Sequence, residues 1–193
     1  LRAKKSQVEA TAFLELARIF KSMGLSDGAK AKADEGLALD EQIVRAQDRL
    51  PLALRERGFE LKWELELAKD DYAGALATCE FFSKLFPTSP LADQALLGMG
   101  RARMEAKQYQ EAINIFRKIL ALPQSLAKAE AQFRIAQATE SMAEAAAATG
   151  GGAAGSAANA AVMQYKLCAD RYPTSEFAGP ALAKVVDYYI RTK

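Results

Sequence analysis

The sequence predicts an all-α fold, an α-solenoid wound as a right-handed superhelix from about four helical hairpins and a terminal helix. Apolar residues recur at spacings of three and four along most of the 193-residue chain, which is the period of an amphipathic helix. Strand-like alternation is rare. An aromatic residue followed by Pro-Thr-Ser occurs twice, at residues 86–89 and 172–175, and such internal repetition indicates stacked units.

The composition is that of a globular chain with balanced charge. Hydrophobic residues make up 50% of it, and 26 basic against 24 acidic residues leave a formal net charge of +2. This balance gives no electrostatic reason to expect nucleic acid binding. The alanine-rich stretch at 143–162 is interrupted by glycines and lacks Leu, Ile and Phe, so we expect no membrane span.

The chain contains no histidine. This absence removes Ser-His-Asp and Cys-His nucleophile pairs and His-containing zinc sites. We therefore expect no catalytic residue, no cofactor and no metal, and we do not predict an enzyme.

Small residues at regular steps set the register of the first three hairpins, at about residues 10–50, 51–89 and 90–125. Ala75 and Ala112 are 37 residues apart, whereas Ala29 and Ala75 are 46 apart. We place the nine additional residues in a long second helix from about Asp27 to Leu50, with the next helix beginning at Pro51. A longer connector is the simpler interpretation of this length, and a docking surface is the alternative.

The fourth hairpin, at about residues 126–175, contains an insertion. Ala112 and Ala161 are 49 residues apart, and the 12 residues beyond a step of 37 match AAAATGGGAAGS at 145–156. Consecutive glycines oppose helix formation, so we expect a flexible turn here. A phosphate-binding loop is the alternative, but its Gly-Lys-Ser/Thr ending is missing.

The two Pro-Thr-Ser phrases are predicted to form equivalent joints between hairpins. A proline ends one helix at each joint, and Asp93 and Gly179 are the predicted N-caps of the helices that follow. The terminal helix, at about residues 176–193, is either the first helix of a fifth hairpin or a cap that covers the fourth.

This pattern resembles the tetratricopeptide repeat (TPR) family over nearly the whole chain. The first hairpin shows the family's large and small positions at Phe13, Leu16, Ala17, Phe20, Gly24, Ala29, Gly36 and Leu37. The aromatic-Pro-Thr-Ser-x-x-Ala joint is similar to that of bacterial cell-envelope members, such as the Tol-Pal coordinating periplasmic protein and the lipoprotein of the outer-membrane β-barrel assembly machine. Family members that bind a chaperone tail use a clamp of Lys and Asn. At the matching positions this chain has Leu14 and Arg18, so recognition of that tail is not predicted.

The resemblance implies a non-catalytic scaffold that binds a peptide segment or a partner helix on its concave surface. In the family the first helix of each hairpin lines this groove, and a solvated helix face is the alternative for each position. The candidate partner-binding residues are Arg18, Lys21, Glu60, Glu64, Arg101, Met104 and Arg134. A structural or oligomerisation module of a larger protein is the alternative function, so a homo-oligomer stays open.

Three single residues have their own expectations. Trp63 stands where the family usually has a small residue, and it either fills the core or anchors a partner. Cys79 and Cys168 fall on second helices two hairpins apart. Their separation of about 20 Å exceeds the roughly 7 Å reach of a disulfide, so two buried free thiols are predicted.

The compartment is inferred from the resemblance. The chain starts at Leu1 without a signal-peptide pattern, which is expected of a mature fragment. The bacterial periplasm or cell envelope is the predicted location, and the cytoplasm is the alternative.

Overall fold

The computed structural model of this chain describes residues 2–45, 50–148 and 154–192. Within these ranges the chain forms nine α-helices and no strand. The predicted all-α helical repeat fold is therefore confirmed. The helices are α1 (Arg2–Ser22), α2 (Ser26–Arg45), α3 (Leu52–Ala68), α4 (Tyr72–Leu85), α5 (Ala92–Glu105), α6 (Tyr109–Ala121), α7 (Lys128–Ala148), α8 (Ala154–Arg171) and α9 (Ala178–Arg191).

The helices form two compact units, Leu1–Ala106 and Lys107–Lys193. In the first unit each helix from α1 to α5 packs on the next, and α3 also contacts α1 and α5. The first helices of successive hairpins therefore lie side by side. In the second unit α6 packs on α7, α7 on α8 and α8 on α9.

Three equivalent residues with left-handed backbone mark the hairpin turns. They are Gly24 (φ 74°), Asp70 (φ 68°) and Lys107 (φ 61°). A residue in this conformation commonly ends a helix. These residues are 46 and 37 apart, which are the same steps that separate Ala29, Ala75 and Ala112. The left-handed turns thus recur at the same steps as the small residues that set the predicted register.

The two Pro-Thr-Ser joints have the same backbone hydrogen bonds. The amide of Ser89 donates to the carbonyl of Phe86 over 3.1 Å, and 86 residues later Ser175 donates to Tyr172 over 3.0 Å. The next bond, from Ala92 to Ser89, likewise recurs from Ala178 to Ser175, each at 3.1 Å. The repeated phrase thus forms one repeated turn.

The predicted N-caps at these joints are wrong. The helices begin at Ala92 and Ala178, with Leu91 and Phe177 as caps, so Asp93 and Gly179 lie inside the first turn. The cause is the serine-centred turn, since its bond from residue 92 or 178 back to the serine carbonyl already brings the chain into the helical path. Pro51 is similarly the N-cap of α3 and not its first residue.

The two length predictions are met in part. The second helix of the first hairpin, α2, has 20 residues against 14 in α4, as expected. The described part of this helix ends at Arg45, and Leu50, its predicted end, is not helical, while residues 46–49 are outside the described ranges. The insertion was expected to be a turn throughout, but residues 145–148 belong to α7 and 154–156 to α8. Residues 145–148 are all alanine, which has the highest helix propensity, and they extend α7. Residues 149–153 are not described.

Trp63 belongs to the core of the first unit, so the alternative of an exposed partner anchor is wrong. Its side chain is 1% exposed and meets the Phe82 ring edge-on, with ring centres 5.2 Å apart. The family has a small residue at this position; here the space for the large indole is left by a glycine of α5, Gly98. A β-carbon on Gly98 would lie 2.8 Å from Cys79 Sγ and 3.2 Å from the Trp63 ring.

Both cysteines are buried and free, as predicted. Burial raises the pKa of the Cys79 thiol, and it also raises the pKa of Cys168. Reactive thiolates need a lowered pKa and access to solvent, so both side chains act here as small apolar core residues.

Candidate functional site

The first helices of three hairpins enclose a cleft of about 260 Å³ in the first unit, which we call the α1–α3–α5 cleft. Four of the seven predicted partner-binding residues line it. They are Arg18, Glu60, Glu64 and Arg101. The other lining residues are Thr11, Leu14, Glu15, Arg57, Leu61 and Gln94.

The repeat brings these side chains together. Arg18, Glu64 and Arg101 follow one another at the steps of 46 and 37 residues that relate the hairpin turns. They occupy one repeat position on three neighbouring helices. The residues seven places earlier on each helix, Thr11, Arg57 and Gln94, share a second position, two helical turns away. The cleft is therefore built from equivalent positions in successive hairpins.

Glu64 is the centre of an ion-pair network across the cleft. Its carboxylate accepts hydrogen bonds from Arg18 Nη2 at 2.7 Å and from Arg101 Nη1 at 2.6 Å. Arg18 Nη1 also donates to Glu15 Oε1 at 2.7 Å, and Arg57 pairs with Glu60 on its own helix. The side chain of Glu64 is only 14% exposed, so the network links α1, α3 and α5 at a half-buried point.

The cleft has balanced charge and many hydrogen-bond donors. Three arginines face three glutamates, so the lining itself favours neither an acidic nor a basic ligand. Each guanidinium has five N–H donors in a planar fork. Two from Arg18 and one each from Arg57 and Arg101 are engaged in the bonds described above. Polar groups of a peptide, such as backbone carbonyls, fit such a lining.

Lys21 and Met104 are placed elsewhere. Lys21 Nζ binds Asp70 Oδ1 at 2.6 Å and the Leu67 carbonyl at 3.4 Å, which ties α1 to the turn after α3. The bond from Lys21 lowers the pKa of Asp70. Met104 is half-buried on α5 and does not line the cleft.

Arg134 belongs to the second unit. Its guanidinium pairs with Glu130 at 3.0 Å and donates to Gln137 at 3.1 Å, both on α7. The hydrogen bond that starts α5 at Ala95 recurs in α7 at Ala131, 36 residues later. In this register Gln137 is equivalent to Arg101, and Arg134 lies about one helical turn before it.

Sequence reasoning missed six of the lining residues, Arg57 and Gln94 among them. A signal was present, because both lie seven residues before a predicted residue and thus on the same helix face. Glu15 is likewise one turn before Arg18. Extending each predicted position along its helix would have found them.

An apolar shelf adjoins the cleft. A second cavity of about 440 Å³ lies at the start of α1 and α3, and it shares Thr11 and Arg57 with the cleft. Val8 and Leu54 give it an apolar surface, and Lys4 and Gln7 complete it. A polar cleft and an apolar shelf thus meet on one face of the first unit.

The second unit has its own cleft of about 340 Å³ between α7, α8 and α9. Its floor is formed by small apolar residues, Ala143, Ala147, Ala158 and Val162. Glu140 joins the three helices, because it accepts a bond from Tyr165 Oη at 2.6 Å and pairs with Lys184 at 2.9 Å. Burial, reinforced by Glu140, raises the pKa of Tyr165.

Within residues 2–45, 50–148 and 154–192, no three His, Cys, Asp or Glu side chains are grouped so that they could hold a metal ion. None of the helices there is long and apolar enough to cross a membrane.

Comparison with known proteins identifies the fold. No protein-family model and no curated protein matches the sequence. Two solved structures of a candidate kinesin light chain from Podosopora anserina, with nearly identical TPR-like repeats, are similar to it. One has a TM-score of 0.58 at 13% identity, over 98% of this chain and 87% of that one. The other has a TM-score of 0.56 at 15% identity, over 93% and 84%.

These similarities define the class of structure. The chain has a TPR-like helical repeat fold, in agreement with its hairpin turns and joints. At identities of 13% and 15% the likeness concerns the fold alone. The similarity to bacterial cell-envelope proteins is not supported by these comparisons.

Proposed function

We propose that this chain is a non-catalytic scaffold that binds a peptide segment or a partner helix, and that the α1–α3–α5 cleft is its binding site. One observation carries the proposal. Four residues selected from the sequence as groove residues, Arg18, Glu60, Glu64 and Arg101, line a single cleft. A structural or oligomerisation module is the second candidate, and the apolar residues exposed on α1 and α9 favour it.

The cleft and the shelf suggest the chemistry of the partner. An apolar side chain of the partner would lie against Val8 and Leu54 on the shelf. Polar groups of the partner beside that side chain would accept hydrogen bonds from the cleft arginines. Since the ion pairs of the cleft already balance one another, an extended peptide with one apolar anchor and uncharged polar neighbours fits better than a strongly charged one.

Peptides selected from a random display library on the immobilised chain provide a test. Arg57→Ala is the informative variant, since Arg57 lines both cavities. We expect it to weaken the selected peptides at least about tenfold, which is ~1.4 kcal/mol, in a fluorescence anisotropy titration. The melting temperature should change little, because an exposed ion pair contributes only about 0 to 1 kcal/mol.

Arg45→Ala is the matched control. Arg45 also pairs with a glutamate on its own helix, Glu41 at 2.6 Å, but it does not line the cleft or the shelf. It should leave the affinity of the peptides unchanged. Equal binding to wild type and Arg57→Ala would place the peptide site outside this face, and a selection that yields no peptide would contradict the scaffold function.

We further propose that the protein acts in the bacterial cell envelope, as part of a larger protein or complex. The joint sequences at 86–92 and 172–178 are the support for this. Fractionation of the source cells, with an antibody against this chain, tests the location. Recovery in the cytoplasmic fraction alone would overturn it.

A further inference from the structure

Glu64 binds the arginines of two neighbouring helices at the same time. Its Oε2 atom accepts a hydrogen bond from Arg18 of α1 at 2.7 Å, and its Oε1 atom accepts one from Arg101 of α5 at 2.6 Å. Each carboxylate oxygen therefore holds a different guanidinium. Guanidinium groups bind carboxylates and phosphates preferentially, so Glu64 occupies the place that an acidic group of a partner would take.

The middle member of this triad is also its most buried side chain. The side chain of Arg18 is 46% exposed and that of Arg101 is 32% exposed, against 14% for Glu64. A partner's carboxylate that displaced Glu64 would leave the Glu64 carboxylate largely buried and without a counter-charge. Because an unpaired charge in such a place is strongly unfavourable, the internal acid is not readily replaced.

The other charges of the cleft are paired within their own helices. Arg18 also donates to Glu15, and Arg57 pairs with Glu60. Arg57 has the most exposed side chain of the three cleft arginines, at 57%, and it lies two helical turns from Glu64, beside the apolar shelf. An uncharged acceptor of a partner can reach Arg57, while Glu64 keeps the other two arginines engaged.

We propose that Glu64 determines the specificity of the α1–α3–α5 cleft by acting as an internal ligand that excludes carboxylate and phosphate groups. This inference rests on the proposed peptide-binding function and adds to it the residue that selects the charge of the partner. The partner segment then carries no acidic group where it meets Arg18 and Arg101. Without the Glu64 carboxylate, the two guanidinium groups lose their shared acceptor and the cleft becomes an anion site.

Glu64→Gln tests this with inorganic phosphate as the probe, by isothermal titration calorimetry at low ionic strength, where screening is weak. The amide keeps the shape of the side chain but not its charge. We expect the variant to bind phosphate at least about tenfold more tightly than wild type. An ion-pair network that only holds the helices together gives no such gain, so equal affinities would overturn the proposal.

Two further variants locate the phosphate. Glu41→Gln is the matched control, because Glu41 pairs with Arg45 at 2.6 Å outside the cleft, and it should bind phosphate like wild type although its net charge changes equally. Combining Glu64→Gln with Arg101→Ala should abolish most of the gain. A gain in Glu41→Gln, or a full gain in the double variant, would overturn the proposal. Circular dichroism checks folding, and Glu64→Ala replaces Glu64→Gln if the latter loses helix.

Peptides selected on wild type provide a second measurement. Each polar residue of a selected peptide is replaced in turn by Asp and, for comparison, by Asn. At one position Asp should weaken binding to wild type at least about tenfold relative to Asn, but not binding to Glu64→Gln. The same response of both proteins at every position would overturn the proposed role of Glu64 and leave the scaffold function standing. A selection without peptides would contradict the scaffold function, while the phosphate titration still decides the role of Glu64.

Discussion

Asp40 of α2 has a fully buried side chain, and neither of its carboxylate oxygens has a hydrogen-bond partner among the residues that the structure describes. Burial raises its pKa from 3.8 to about 7. Lys62 of α3 acts in the opposite direction, and Glu66 adds to the rise. Lys62 is already engaged, because it pairs with Glu66 and donates to Thr78, each at 3.0 Å.

This residue should make the stability of the protein depend on pH. The folded state binds the Asp40 proton more tightly than the unfolded state, whose pKa is near 3.8. Its contribution is therefore fully present below about pH 4, decreases as the pH rises and is lost above about pH 7. The loss can reach ~4 kcal/mol, at ~1.4 kcal/mol per pH unit.

Asp40→Asn removes this titration. We expect its free energy of unfolding to change less between pH 5 and pH 8 than that of wild type, as measured by urea denaturation. Asp187→Asn is the control, because Asp187 is half-exposed and paired with Arg191, and it should keep the slope of wild type. Identical slopes for Asp40→Asn and wild type would show that Asp40 does not carry the raised pKa in solution.

Gly98→Ala is expected to lower stability by about 1 to 3 kcal/mol. Its added methyl would lie 2.8 Å from the sulfur of Cys79, which is fully buried, so the core around it would have to shift. Alanine is otherwise the better helix residue by ~1 kcal/mol, so a loss must come from packing. Chemical denaturation measures the difference.

Gly179→Ala is the comparison variant for this change. It is also a helix glycine, but no described residue lies within 4 Å of its added methyl. Its stability should be equal to that of wild type or up to ~1 kcal/mol higher. If both variants gave the same value, close packing at Gly98 would not be the cause.

At the level of the helices, the hairpin turns are the most regular feature of the chain. The left-handed position is a glycine after α1, an aspartate after α3 and a lysine after α5. Asp70 is held there by its bonds from Lys21 and from the Tyr72 hydroxyl. Asp71 then caps α4, because its side chain accepts a bond from the amide of Gly74 at 2.9 Å.

Lys107→Gly is expected to stabilise the protein by about 1 kcal/mol. A residue with a β-carbon pays roughly 1 to 2 kcal/mol in left-handed backbone, and glycine avoids this cost at the expense of some unfolded-state entropy. Thermal unfolding should show a higher melting temperature. Lys107→Ala, which removes the same side chain and keeps the β-carbon, should show no gain, and an equal gain in both would contradict the backbone explanation.

These elements could be predicted from the sequence because the same residue types recur in it at fixed steps. Alanines at steps of 46 and 37 match the steps between the left-handed turn residues, and the repeated Pro-Thr-Ser marks two equivalent joints. The residue at which each helix begins after a joint was harder to predict. Asp93 and Gly179 are acceptable caps by type, but the turn centred on Ser89 and Ser175 begins each helix earlier.

At the level of the whole chain, the candidate site was predictable where it follows the repeat. Arg18, Glu64 and Arg101 could be placed together because one register relates them. The position of Lys21 outside the cleft could not be predicted from the sequence, since only the structure shows that it pairs with Asp70. Residue type also left Trp63 undecided between core and surface, because the space that accommodates it is provided by a glycine 35 positions later.

The contact between Trp63 and Gly98 limits how this chain can be rearranged. Hairpins of a regular array can be duplicated, deleted or exchanged at any joint, because every neighbour offers the same surface. Here the large side chain, Trp63, belongs to one hairpin, and the glycine that leaves room for it, Gly98, belongs to the next. A chimera that replaces α5 with a helix lacking that glycine would clash with the indole, and one that ends after α4 would leave its ring uncovered. The two segments therefore have to be transferred together.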